Sequence, residues 1–414
     1  MGSDSFLDGL ISQVRSLFEK GSVKKGNVVF SLHQSFTFVG IVVGLLFITS
    51  MNYFSSNAIT CQDENEYVRN YCFLHGSSHI RGELRTYLSS GTSCTANDQD
   101  DDEGPSEESR NTNYYIWLPS ILISISLITR LPGIIWTNVF EMGKMERLVE
   151  EVRSGNPKVI EKTGAKLQKM LKGRIQPTVY NLGFALCEIL NMCAIPLNGT
   201  ILDLLFNKKF TSYGLEAYEY FSFERNPRLP EQTTPPNPLC NVFPTEVSCT
   251  VFRGSITGNA NKENTLCLLS NNVFNQFYFL ILWWWWAIVF AISCIGLVYR
   301  LCQLVIPGFG RLGLFLWMNM MTYSEESKKK VTSMRLGPTQ TFFLGRLLAS
   351  LKGSQGEQLL EKMHLAEEEA AVRLTCYSRD VILDEIRVEE GEMRMKNFRN
   401  SDNLTVDLSS ERNP

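Results

Sequence analysis

Histidine is scarce in this chain, with four in 414 residues, at His33, His75, His79 and His364. They are too scattered to supply the base of a catalytic triad. His75 and His79 stand four apart but lack the internal glutamate of a zinc-protease helix. No Gly-x-x-x-x-Gly-Lys phosphate loop is present. Gly308-Phe309-Gly310-Arg311-Leu312-Gly313 fits G-x-G-x-x-G formally, but it follows an apolar run and Pro307 where a dinucleotide fold needs a strand. No enzyme, cofactor or metal site is expected. An excess of one charge is missing too: 40 Lys and Arg against 43 Asp and Glu leave a net charge of −3, which argues against nucleic acid as a main partner.

Long apolar runs are what the chain does have. Phe36 to Phe54, Tyr114 to Trp136 and Phe277 to Leu301 each reach the ~20 residues that cross ~30 Å of hydrocarbon. Tyr180 to Phe206 is a fourth, made less apolar by Glu188, Asn191, Asn198 and Asp203. Asn198-Gly199-Thr200 fits an N-glycosylation pattern but lies inside that run, and neither cysteine-bearing loop holds such a site. Lys24 and Lys25 precede the first run, and the segment after the second carries Lys144, Arg147, Arg153, Lys158, Lys162, Lys166, Lys169, Lys172 and Arg174. The positive-inside rule puts these segments, and with four crossings both termini, in the cytosol. Anionic lipid is a possible partner of the basic segment. The opposite loops hold three cysteines each, Cys61, Cys72 and Cys94 in the first, and Cys240, Cys249 and Cys267 in the second. That usage fits an oxidising extracellular face and disulfide staples. The first loop also carries the acidic run Asp98-Gln99-Asp100-Asp101-Asp102-Glu103, with Glu107 and Glu108 behind it.

Phe6, Leu7, Leu10, Ile11, Val14, Leu17 and Phe18 follow amphipathic-helix spacing, after Ser5 as an N-cap. Such a helix lies on the membrane surface or folds into a pore mouth. Leu314 to Met321 is too short to span, Phe342 to Leu351 and Leu359 to Ala371 read as amphipathic helices, and the chain is polar and expected to be disordered from Arg394. Glu188 and Arg130 fall at comparable depth in adjacent spans, which predicts either an Arg130–Glu188 ion pair or a pore-lining Glu188.

Tyr114-Tyr115-Ile116-Trp117-Leu118-Pro119 opens the second span, with aromatics at the membrane boundary and a proline suited to the first helical turn. It resembles the Tyr-Tyr-x-Trp signature of innexins, the gap-junction proteins of invertebrates, with Ile116 where Gln is usual. Tyr71-Cys72-Phe73-Leu74-His75, Phe243-Pro244, Cys249-Thr250-Val251-Phe252, Leu266-Cys267 and Cys187-Glu188-Ile189-Leu190-Asn191 carry the same resemblance, which runs from Val29-Phe30-Ser31-Leu32-His33 to near Leu344.

The resemblance implies an all-α membrane protein with four transmembrane helices, two stapled extracellular loops and a helical cytoplasmic domain. The parts are an N-terminal pore helix and linker (1–30), spans at 31–54, 114–139, 179–206 and 275–304, extracellular loops at 55–113 and 207–274, a cytoplasmic loop at 140–178, C-terminal helices at 305–393 and a disordered tail at 394–414. It also implies bonds Cys61–Cys267 and Cys72–Cys249. Cys94 and Cys240 are extra to the family pattern and form either a third bridge or two free or intermolecular thiols. Ser3, Asp4, Phe6, Leu7, Leu10, Ile11 and Val14 become candidate pore-lining residues, and Arg130, Glu188 and Asn191 the intramembrane polar group. The implied function is a plasma-membrane gap-junction subunit. It assembles with like subunits, homomeric or heteromeric, as an octamer among membrane lipids and docks with a hemichannel of the adjacent cell. A hemichannel that never docks is one alternative. A four-helix adhesion or scaffold protein is another, against which the amphipathic N-terminus and polar third span both weigh.

Overall fold

The computed structural model describes residues 26–54, 59–63, 65–75, 77–78, 111–112, 114–173, 175–225, 237–254, 260–306, 308–321, 323–334 and 336–370, with isolated positions to 395. The expected pore helix, the acidic run, Cys94 and the polar tail after Met395 lie outside these residues. Among the described residues, four helices are long and apolar enough to cross a membrane: Val28–Ser50, Tyr114–Glu141, Ile175–Leu205 and Asn272–Val305. They are called the first to fourth spans below. The chain divides into two compact units, one of residues 1–142 with 180–305, the other of 143–179 with 306–414.

In the first unit, spans lose regular α geometry at two places, Leu32–Thr37 and Trp136–Glu141, where the turn widens to π. An extra residue per turn re-aims side chains, and in the first span it turns His33, Gln34 and Thr37 all into the protein. Pro119 is the sixth residue of Tyr114–Ile135 rather than a first-turn residue, so it has no N–H to give the Tyr115 carbonyl. Ile41, Leu45, Leu118, Leu122, Leu202, Phe206, Phe279 and Trp286 form a shared core.

The third span ends in a turn at Asn207 and Lys208, both at positive φ, and a helix not anticipated from sequence follows at Phe210–Arg225. Asp203, read as a polar intruder, caps it: its carboxylate accepts from Phe210 N at 3.0 Å and Thr211 N at 2.8 Å. Phe210, Tyr213 and Ala217 then pack into the shared core, and Gly214 leaves room for the Trp283 ring.

The loops add an antiparallel sheet to the helical architecture. Its strands are β1 (Thr60–Cys61), β2 (Ser77–Ser78), β3 (Asn111–Thr112), β4 (Glu246–Gly254) and β5 (Ala260–Leu268), in the order β1-β5-β4-β2-β3. The first loop thus supplies both edges, and the second fills the middle. Val247, Cys249 and Val251 alternate inward along β4, over Val68 and Cys72 of the helix Glu66–His75.

The second unit is helical. Lys144–Arg153 buries Met145, Leu148, Val149 and Val152, while Pro157–Lys172 buries Ile160, Leu167 and Leu171. Asn156 caps the latter by accepting from Lys158 N, with Pro157 at the first helical position. Phe309–Met320, Glu325–Ser333, Pro338–Ala349 and a helix over 353–370 complete it. The inter-span loop and the C-terminal helices are one body: Arg153 Nη2 donates to Ser350 O at 3.0 Å, and Gln340 Nε2 to Leu171 O at 2.6 Å. Gly308, at φ +86°, is a turn after the fourth span and opens a helix, so the G-x-G-x-x-G stretch lacks the strand that dinucleotide binding requires.

Candidate functional site

Two constellations stand out in the first unit. In the loops, Cys61 is bonded to Cys267 and Cys72 to Cys249. Cys61 and Cys267 face one another across the β1–β5 ladder, and the second bond fastens the helix Glu66–His75 to β4. Cys240, in the short helix Pro238–Val242, is also disulfide-bonded, while its expected partner Cys94 lies outside the described residues. The span signature meets this platform from below. Tyr115 donates from its hydroxyl to Cys72 O at 3.1 Å, and its ring lies 5.4 Å from that of Phe73. Tyr114 is buried, edge-on to Phe206 and Phe243, whereas Trp117 is 59% exposed and faces outward from the bundle. Pocket-lining residues beside the platform include Asp63, Arg253 and Glu263. Arg253 pairs with both carboxylates, at 2.9 Å from Glu263 Oε2.

The second constellation lies between the spans. Glu188 of the third span pairs with Arg300 of the fourth, and its other oxygen accepts from Asn27 Nδ2 at 2.6 Å. Arg300 also donates from Nη1 to Asn181 Oδ1 at 2.8 Å and sits 4.9 Å over the Phe184 ring. Asn27 serves twice, since its side-chain oxygen caps the first span at Phe30 N. The expected Arg130–Glu188 pair is therefore not formed. Arg130 donates to Gln34 O at 2.7 Å and covers the Phe38 ring at 5.5 Å. Arg130 turns toward the first span, at Gln34 and Phe38, and not toward Glu188 of the third. Arg300 was missed because it stands near the span's end, where an arginine is ordinarily read as a boundary anchor.

Above this pair, Gln34 Nε2 donates to Thr129 O at 3.0 Å and to Asn191 Oδ1 at 2.6 Å. Asn198 Nδ2 donates to Thr129 Oγ1 at 3.0 Å, so the glycosylation-like asparagine is an interhelical contact. Gln34 approaches the second span closely enough that a Cβ at Gly133 would collide with its carboxamide. His33 Nε2 lies 2.7 Å from Ser293 Oγ. Ser293 Oγ also lies 2.7 Å from Val289 O, and it donates to that carbonyl when His33 Nε2 carries the proton. The π segment of the first span is thereby tied to the other three spans by side-chain hydrogen bonds.

None of these groups is arranged for bond-breaking chemistry. They fix the mutual positions of four membrane helices and hold two loops as a cross-linked platform. That defines a multi-pass membrane protein with disulfide-stapled loops. An Innexin family model matches residues 26–365, and the chain belongs to the innexin family, whose members are gap-junction channel proteins. Similar relatives include Innexin inx3 of Drosophila melanogaster, 24% identical over 314 residues, covering 74% of this chain and 75% of that protein. Innexin inx2 of Schistocerca americana is 25% identical over 305 residues, 72% and 82% of the two chains. Innexin inx4 of Anopheles gambiae is 24% identical over 369 residues, 86% and 91%.

Proposed function

We propose that this chain is the subunit of a large-pore channel that passes ions and small metabolites between adjacent cells by passive diffusion. Eight subunits ring the pore, as homomers or with related subunits, and each ring docks with one from the neighbouring cell. The observation that carries the reading is the interleaved sheet. Among the described residues, three of its strands come from one loop and two from the other, and two disulfides cross between the loops. Long loops held this rigidly suit a face that must meet a second rigid face without an ordering cost. The lysine-rich segments support a reading with both termini in the cytosol and the sheet outside the cell. The N-terminal segment, with Ser3, Asp4, Phe6, Leu7, Leu10, Ile11 and Val14, lines the pore entrance.

A hemichannel that does not dock is the second reading. The run from Asp98 to Glu108 favours it, because like charges meeting across a symmetric contact repel. Expression in paired cells separates the readings. Junctional conductance is the expected result. Current across single-cell membranes without junctional conductance would establish the non-docking form, and silence in both, with the protein at the surface, would leave a subunit that needs a different partner or the scaffold reading.

A further inference from the structure

In the second unit, an open cavity of about 760 Å³ is lined by Lys172, Thr178, Arg311 and residues 336–340. Its size falls within the range of small-molecule sites. Both cations on its wall are exposed, no carboxylate lines it, and among the described residues neither Lys172 nor Arg311 has an ion-pair partner. They reach it from separate segments, Lys172 from the end of Pro157–Lys172 and Arg311 from the first turn of Phe309–Met320. Two cations held together without counter-charge repel one another, and an anion between them removes that repulsion. The first turn of Pro338–Ala349 adds its positive end to the same wall.

The cavity's place in the chain narrows the ligand. Thr178 lies within the first turn of the third span, and Arg311 follows the fourth span after one short turn. Exposed apolar side chains follow both cations in sequence, Ile175 three residues after Lys172 at 75% and Leu312 directly after Arg311 at 54%. A phosphate headgroup of a membrane lipid would meet cations at this level, with its chains beside those apolar groups. We propose that the cavity binds a phosphate-bearing ligand through Lys172 and Arg311, presented as an anionic lipid headgroup. The inference does not depend on whether the chain docks or conducts.

The test uses the purified full chain in neutral detergent and measures binding of dioctanoyl phosphatidylinositol 4,5-bisphosphate, dioctanoyl phosphatidylcholine and inositol 1,4,5-trisphosphate. The bisphosphate lipid is expected to bind and the choline lipid not to compete. Lys172→Gln and Arg311→Gln should each weaken binding about fivefold, and their combination more than tenfold. Lys158→Gln, at the far end of the same helix, should leave it unchanged. Weaker binding of inositol trisphosphate than of the lipid supports a membrane source, whereas equal binding keeps the phosphate site and assigns it to a soluble ligand. Wild-type affinity in the double variant, or no binding of either phosphorylated probe, would overturn the proposal.

Discussion

The stapled loops and the span interior of the first unit solve one problem in opposite ways. Each must hold several chain segments in a fixed arrangement. In the loops the apolar cluster is small, built on Ile59, Val68, Val247, Val251 and Leu269, so covalent bonds and an antiparallel sheet drawn from both loops supply the rigidity. Between spans, lipid is as apolar as leucine, and hydrophobicity gives helices little reason to prefer one another over lipid. There the specific contacts are polar: Glu188 with Arg300, Gln34 with Asn191, His33 with Ser293, Asn198 with Thr129. In water the chain is tied covalently; in the membrane it is tied by matched polar groups.

Removing one half of a matched pair should therefore cost most. Glu188→Leu leaves Arg300 buried without its carboxylate, a loss of about 3–5 kcal/mol. The expected result is a marked fall in thermal stability of the detergent-solubilised protein and poor surface delivery. Glu188→Leu with Arg300→Met should recover most of the loss. If the double variant is as unstable as the single one, the pair does not act as a unit.

Cys72→Ser tests the other side of the comparison. A disulfide of this kind contributes about 2–4 kcal/mol, here confined to the loop platform. Protease cleavage near the helix Glu66–His75 should rise sharply, while the spans keep their packing, read as unchanged hydrogen exchange around Gln34 and Glu188. Loss of protection in the spans as well would show that the two regions do not stabilise independently.

The same division explains what the sequence discloses. Four apolar runs report four spans directly, since length and composition suffice for that. Cysteine number and loop position announce staples, but spacing leaves the partners open, and the pairing implied for Cys61, Cys72, Cys249 and Cys267 rests on likeness to the family. Facing direction is the information that is missing. Glu188 was legible as important, yet its partner was not, because the rotation of each helix decides who faces whom. Asp203 illustrates the same limit: its charge looks foreign to a span until the turn at Asn207 and Lys208 brings the next helix's N–H groups back to it. The short strands β1, β2 and β3 carry no periodicity of their own and exist through pairing with the second loop or with each other.

Arg253 and Arg300 make the narrowest form of the comparison, since each arginine pairs with a glutamate and gains a further side-chain partner. Arg253, on β4, joins Asp63 to Glu263; Arg300 joins Glu188 to Asn181. The Arg253 side chain is 46% exposed and that of Arg300 is 6% exposed. Water already solvates the first set of charges and screens their attraction, so Arg253→Gln should change stability by less than ~1 kcal/mol, an effect that added salt reduces further. The staples at Cys61 and Cys72 keep the register of β1, β4 and β5 whether or not the exposed pair is present. Unfolding of the two glutamine variants, Arg253→Gln and Arg300→Gln, followed side by side at low and high salt, reads the difference directly. A large loss at Arg253 would mean that the loop sheet depends on surface charge rather than on its covalent links, and the contrast between the two media would fail at its simplest point.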